Sequence, residues 1–216
     1  MNTKSILLAG LGIIVIIAVG FVFSRPRIPK TLILAVPFTA QAPTNNWSRN
    51  EDCEETSVAM ATAYLNGQSG DMMSAGDAQN AINQLKNWEN INTGYNANTG
   101  ADATTKMAEG AFKLKVTQIK DFTELDLKSA LAKHHPVLLP INAKLLANTY
   151  KDNGPTYHMI VVRGFDERGF IINDPGTNSG DGNVYTFETL KNASANWNQT
   201  TGSMESANKI ALILSK

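Results

Sequence analysis

Asn50-Glu51-Asp52-Cys53-Glu54-Glu55-Thr56-Ser57 runs straight into the apolar stretch Val58–Leu65, and that change of character marks the start of a helix. Asp52, with Glu55 three residues on, reads as an N-cap and its capping-box partner. Asn66-Gly67 is a suitable C-cap pair. Cys53 then stands at the first helical position, where unpaired backbone N–H groups favour a negative charge and so a thiolate. It is the single cysteine of the chain, so no internal disulfide forms and stability has to come from packing.

Outward from this helix the pattern divides in two. Thr31 to Val36 is β-branched and apolar, a strand, and Pro37 to Asn50 is a loop holding Gln41, Pro43 and Trp47. Further helices are expected from Ala75 to Trp88, from Ala103 to Phe112 and from Phe122 to His134, with a strand over Lys115 to Ile119. The second part is rich in strands: Pro136 to Ile141, Met159 to Phe165, Gly169 to Ile172, Val184 to Phe187 and Lys209 to Leu214. Asp166-Glu167-Arg168 reads as a hairpin turn. Helices first and antiparallel strands afterwards make an α+β pattern, not an alternating α/β one.

The chain has 216 residues, with 19 lysines and arginines against 19 aspartates and glutamates. That balance offers no electrostatic case for a nucleic-acid partner. No CxxC, HExxH, GxxxxGK[ST] or GxGxxG pattern occurs, so neither a zinc site nor a nucleotide site is expected and no cofactor is implied. Ile6 to Phe23 is an uncharged, mostly apolar stretch of eighteen residues, with Lys4 before it and Arg25, Arg27 and Lys30 after it. It is just long enough for a bilayer core of ~30 Å. Val22-Phe23-Ser24-Arg25 is a poor small-residue cleavage site, so an uncleaved transmembrane helix is preferred to a signal peptide. Residues 1–30 are therefore expected to form a membrane anchor and a stiff Pro-containing linker, and residues 31–216 one domain. The flanking positive charges favour a cytoplasmic C-terminal side. Short N-terminal anchors nonetheless often export the domain attached to them, and an extracytoplasmic domain is the preferred reading.

Cys53 is followed far downstream by Tyr157-His158-Met159-Ile160-Val161-Val162 and then by Asn173-Asp174-Pro175-Gly176. Nucleophilic cysteine chemistry needs a thiolate, a base to carry its proton, a group to orient the base, and donors for the oxyanion. A hairpin turn near Glu167 sets position 158 opposite about 176, so His158 and Asp174 fall within reach of each other. Each residue also has a plainer reading: Cys53 as a buried hydrophobe, His158 as a core histidine, Asp174 as a turn former. Asp52, Glu54 and Glu55 crowd Cys53 with negative charge, which raises a thiol pKa unless they face solvent or cap the helix. His134 and His135, at a helix C-terminus where the dipole favours protonation, are read as structural. The acidic, Gly-rich stretch from Asp174 to Asn183 fails the EF-hand spacing and reads as a loop. Trp47, Trp88 and Trp197 are packing residues, Trp47 also lying near enough to Cys53 in sequence to line a groove.

Four blocks carry a family resemblance: Val36-Pro37-Phe38-Thr39-Ala40-Gln41-Ala42-Pro43, Cys53-Glu54-Glu55-Thr56-Ser57, Tyr157 through Asp166, and Asn173-Asp174-Pro175-Gly176-Thr177. Together they resemble the bacteriocin-processing, double-glycine-leader peptidases and, more closely, their stand-alone bacterial relatives, the peptidase thirty-nine-like family of papain-like cysteine peptidases. The resemblance implies a papain-like α+β fold over about residues 32–216 and a peptide or protein substrate. It makes Cys53 the nucleophile, His158 the general base, Asp174 the residue that orients the imidazole, and Gln41 the side-chain oxyanion donor. The family's commoner Cys-Gly-Pro opening is Cys53-Glu54-Glu55 here, and Gln41 lies twelve residues before Cys53. The sequence carries no ATP-binding cassette, so the leader-cleaving exporter role is not expected to carry over. Amide hydrolysis or acyl transfer on cell-wall peptide by the same residues, and a non-enzymatic binding domain on the same fold, are the alternatives.

Overall fold

The computed structural model describes residues 28–47, 51–68, 70–94, 97–146 and 155–216. Among them no helix is long and apolar enough to cross a membrane. The stretch Ile6–Phe23, on which the anchor expectation rests, lies outside the described residues.

The chain runs β1 (Leu32–Ile33), α1 (Cys53–Leu65), α2 (Ala75–Asn92), α3 (Ala101–Phe112), β2 (Lys115–Lys120), α4 (Glu124–Ala132) and β3 (Val137–Asn142). It continues through β4 (Tyr157–Asp166), β5 (Gly169–Asn173), β6 (Asp181–Tyr185), α5 (Phe187–Ala193), β7 (Asn196–Asn198), β8 (Ser203–Glu205) and β9 (Ile210–Ser215). The main sheet has the order β2-β9-β3-β4-β5-β6, with β1 extending it beside the far end of β4. Every strand pair in it is antiparallel. The expected α+β class with an antiparallel sheet is what forms, and α1, α2 and α3 pack together beside it.

Helix α1 is buried from Cys53 to Ala63. Its sequence suits a central position, because Ala59, Ala61 and Ala63 let neighbouring elements approach closely. The polar side chains inside it bond locally: Thr62 Oγ1 donates to the Val58 carbonyl at 2.7 Å, and Thr56 Oγ1 donates to the Asp52 carbonyl. On the helix bundle side, Gly110 of α3 seats Trp88 of α2 so closely that a Cβ there would overlap the indole. In the sheet, β3 carries Pro140, yet β9 pairs only with Val137 and Leu138, so the proline lies beyond the doubly paired part of the strand.

Several boundaries differ from those expected. The first strand is limited to Leu32–Ile33, and α2 continues four residues past Trp88 to Asn92. Helix α4 starts later than Phe122, because the Thr123 side chain accepts from the Asp126 N–H while Asp126 bonds back to Thr123 in a reciprocal capping box. The strand expected through Phe187 stops at Tyr185. The Thr186 side chain accepts from the Thr189 N–H, which caps α5 and turns the chain out of the sheet.

Candidate active site

Cys53 is the first residue of α1 and is 3% exposed. One turn on, Ser57 Oγ donates to the Met159 carbonyl at 3.2 Å, and a backbone hydrogen bond from Met159 also reaches the Cys53 thiol. The start of α1 is thereby fastened to β4 at the residue after His158. The capping box expected of Asp52 and Glu55 does not form: Asp52 makes no side-chain cap. Its carboxylate instead accepts from Lys86 Nζ of α2 at 2.7 and 2.8 Å. A buried carboxylate gains more from a charged donor than from a backbone amide, and α2 delivers that donor.

His158 and Asp174 are brought together as expected. His158 Nε2 lies 2.7 Å from Asp174 Oδ1, with both side chains buried. The β4–β5 hairpin pairs Asp166 with Gly169 around a two-residue turn, Glu167-Arg168, and then shifts register between Val162 and Gly164. The bulge at Arg163 moves the pairing by one residue, so Val161 faces Asn173. Extended at that register, the ladder sets 158 opposite 176, and Asp174 comes back toward the histidine as β5 ends. Arg163 holds the bulge through Asn173 Oδ1 at 2.7 Å and Asp181 Oδ1 at 2.9 Å. Asp174 is held in turn: its Oδ1 accepts the Gly176 N–H at 2.9 Å, and its own N–H donates to the Gly180 carbonyl at 2.9 Å. At Gly180 a Cβ would overlap the Asp174 carbonyl. Gly180→Ala is therefore expected to cost roughly 1–3 kcal/mol by overpacking and to lower any activity that depends on Asp174. Urea denaturation beside a turnover assay checks both.

Gln41 is buried, and its backbone N–H donates to the Pro175 carbonyl at 2.8 Å, next to Asp174. Its loop is braced on α1 by the Thr39 N–H to Met60 Sδ at 3.4 Å, and on Asp71 and Met73 through Phe38. Asn173 Nδ2 donates to the Val36 carbonyl at 3.0 Å, which ties the start of the loop to the end of β5. The loop before α1 is thus fastened to the Asp174 turn, and α1 to the strand bearing His158. Trp47 bonds within its own turn, its indole N–H donating to Asn45 Oδ1 at 3.1 Å. Trp197 packs against Tyr157 with ring centroids 5.4 Å apart. His135 lies just beyond α4, and burial, with Lys133 and His134 adding to it, lowers its pKa, against the dipole argument for protonation.

Residues 33–205 match the model of the Peptidase_C39 like family. The chain belongs to that family. It is accordingly a papain-like cysteine peptidase by class. A solved structure described as a putative C39-like peptidase from Bacillus anthracis superposes with a TM-score of 0.55 at 19% identity, covering 87% of this chain and 99% of its own. Xylellain, a cysteine protease from Xylella fastidiosa, is similar at a TM-score of 0.43 and 15% identity, covering 88% of this chain and 87% of its own. No curated protein matches the chain.

Beside the cysteine of this C39-like peptidase the acidic residues turn inward instead of facing solvent. Glu54 is fully buried: Oε1 accepts the Thr99 N–H at 2.7 Å, and Oε2 accepts from Cys53 Sγ at 2.9 Å. Burial first, then the Glu54 charge and its hydrogen bond, push the Cys53 thiol well above its ordinary pKa, against the lowering influence of Met159. Burial raises Glu54 to about 7 and Glu89 of α2 to about 7. Glu55 is also raised, by burial and by the charges of Glu54 and Glu89. The described residues contain no group of three or more His, Cys, Asp or Glu side chains set to hold a metal ion. Glu89, Lys86 and Thr99 had no part in the sequence reading of the site; Glu54 stood there only as a charge beside Cys53, and Tyr157 only in the block around His158. Lys86 and Glu89 carry a faint signal, three residues apart on one helix face, but nothing local tells that this face is buried.

These carboxyls set a pH dependence of stability. Their unfolded pKa is about 4.3 and the folded value for Glu54 and Glu89 is about 7. A raised folded pKa means that the folded state binds more protons between those values. The contribution is present below the unfolded pKa and is lost as pH rises through the folded one. The melting temperature is expected to fall as pH is raised from about 5 to about 8, and Glu89→Gln to flatten that slope. A melting temperature that climbs over the same window in calorimetry would contradict it.

Proposed function

We propose that this chain hydrolyses peptide bonds with Cys53 as nucleophile, His158 as general base and acid, Asp174 as the orienting group and Gln41 as an oxyanion donor. The observation that carries the reading is the buried 2.7 Å bond between His158 Nε2 and Asp174 Oδ1, on a strand fastened at the next residue to the helix that begins with Cys53. With Nε2 engaged by the aspartate, Nδ1 is the ring nitrogen that exchanges a proton with the thiol. The thiolate attacks the peptide carbonyl, and the Gln41 side chain and the Cys53 N–H stabilise the oxyanion. His158 then protonates the departing amine, leaving a thioester. Water, deprotonated by His158, releases the acyl group. In this proposal the apolar stretch Ile6–Phe23 holds the domain at the membrane, outside the cytoplasm.

The test is incubation of the full chain in detergent with a peptide library, new termini being read by mass spectrometry. Cleavage by wild type and none by Cys53→Ala is the expected result. An added amine distinguishes acyl transfer, since capture of the acyl group by the amine in preference to water would make the protein a transferase. A non-enzymatic binding role has one observation in its favour, the Cys53 thiol bonded to Glu54 and raised in pKa. It predicts no cleavage at any pH and full cellular function of Cys53→Ser.

A further inference from the structure

We propose that Glu54 is a proton-operated gate on the nucleophile: its carboxylate keeps the Cys53 thiol protonated, and its acid form releases the sulfur to ionise. The inference deepens the peptidase reading and rests on it for the role of the thiolate.

The geometry is specific. Glu54 directly succeeds Cys53 in the chain and has no solvent exposure. One oxygen is occupied by the Thr99 N–H at 2.7 Å, which fixes the carboxyl plane, and the other lies 2.9 Å from Cys53 Sγ. Thr99 is itself held, its carbonyl accepting from Tyr157 O–H at 2.7 Å. Tyr157 is the residue before His158, so the carboxyl sits on a rigid path between the thiol and the strand that bears the histidine. A carboxylate at this distance accepts the thiol proton and repels a sulfur anion. A neutral carboxylic acid in the same place repels nothing and can donate its own proton to the sulfur.

The proton balance is simple. At rest the site holds a thiol, a Glu54 carboxylate and a neutral His158. Glu54 takes one proton from solvent and the thiol proton passes to His158. The result is a thiolate, a carboxylic acid and an imidazolium, one proton richer. Several groups bear on the carboxyl. From α1 they are Cys53 and Glu55, and from α2 Glu89, close to the Asp52–Lys86 ion pair. From β4 it is Tyr157, whose hydroxyl sits in the same network and whose next residue along the strand is His158. The segment entering α3 contributes Thr99 and, through it, Thr104, both uncharged. Negative charge predominates, and Glu54 lies near neutrality at about 7. The gate therefore opens on mild acidification.

Because Cys53 is the single cysteine, thiolate is read directly by ultraviolet absorbance of the full chain in detergent, taken as the difference from Cys53→Ser. In wild type the thiolate signal should grow as pH is lowered from about 8 to about 6, opposite to an ordinary thiol of pKa about 8.5. Glu54→Gln keeps an oxygen for Thr99 and places an amide donor on the sulfur. It should show roughly tenfold more thiolate than wild type at about pH 8, a shift of about one pKa unit, with the dependence through neutrality gone. A wild-type signal that only rises with pH overturns the proposal without recourse to a variant, as does a Glu54→Gln profile identical to wild type. His158→Ala in the same series separates the two readings. If Glu54→Gln raises the signal at about pH 8 and His158→Ala leaves it unchanged there, Glu54 does hold the thiol protonated but the proton does not pass to His158, so the thiolate–imidazolium pair fails and the peptidase reading with it. The reverse pattern overturns the gate and keeps the pair.

Discussion

His158→Ala is expected to lower kcat/KM for peptide hydrolysis by about 10³–10⁴-fold, with the folded fraction by circular dichroism matched to wild type. The size reflects the part proposed for the ring, which is to take the thiol proton and return one to the leaving amine in the acylation step. Glu54 does not substitute: it is bonded to the thiol at 2.9 Å, but as a carboxylate it opposes ionisation. The neighbouring Asp174 separates charge from geometry. Its Oδ1 accepts from both His158 and the Gly176 N–H, and an asparagine oxygen can accept the same pair. Asp174→Asn should therefore retain activity within about tenfold of wild type, while Asp174→Ala, which frees the ring to rotate, should lose roughly 10²-fold or more. Equal losses in the two Asp174 variants would show that negative charge, not ring orientation, is what the aspartate supplies.

Lys86→Met should destabilise the domain by about 3–5 kcal/mol in urea denaturation at neutral pH. Lys86 and Asp52 are both at least nine-tenths buried, and the ammonium reaches both carboxylate oxygens of Asp52, at 2.7 and 2.8 Å. Without it, a buried carboxylate stands beside Glu55 and Glu89, whose pKa values it already helps to raise. The same ammonium lowers Glu89, so its loss also makes Glu89 harder to ionise. The double variant Asp52→Asn/Lys86→Met should recover most of the loss, because a buried pair replaced as a unit is often close to neutral. A single-variant cost under about 1 kcal/mol, the range of an exposed ion pair, would mean that the cluster is wetter than its burial indicates.

Much of the architecture is written locally. The polar-to-apolar change at Cys53, the Asn66-Gly67 stop and the Asp166–Arg168 turn each depend on residues a few positions apart, and α1, β4 and β5 form where those signals stand. The order of Cys53, His158 and Asp174, and the hairpin that brings the last two together, are legible for the same reason. A two-residue turn sets a register that the strands must follow. The register itself needed the bulge at Arg163, which is held by Asn173 and Asp181 across the sheet. Helix α5 hid inside an apparent strand, because Tyr185-Thr186-Phe187 has strand-like composition and only the bond from Thr189 to Thr186 shows that the chain has turned.

Around the nucleophile the sequence determined which charges are present, and the tertiary structure alone decided where they point. Asp52 reads as a cap because its neighbours allow one. It becomes an ion pair because α2 packs Lys86 against it from thirty-four residues away. Glu54 reads as one of three acids crowding Cys53, its direction left open, and packing against Thr99 and β4 turns it onto the thiol. A carboxylate lowers its energy by whatever donor lies within about 3 Å, and which donor that is depends on how distant segments pack.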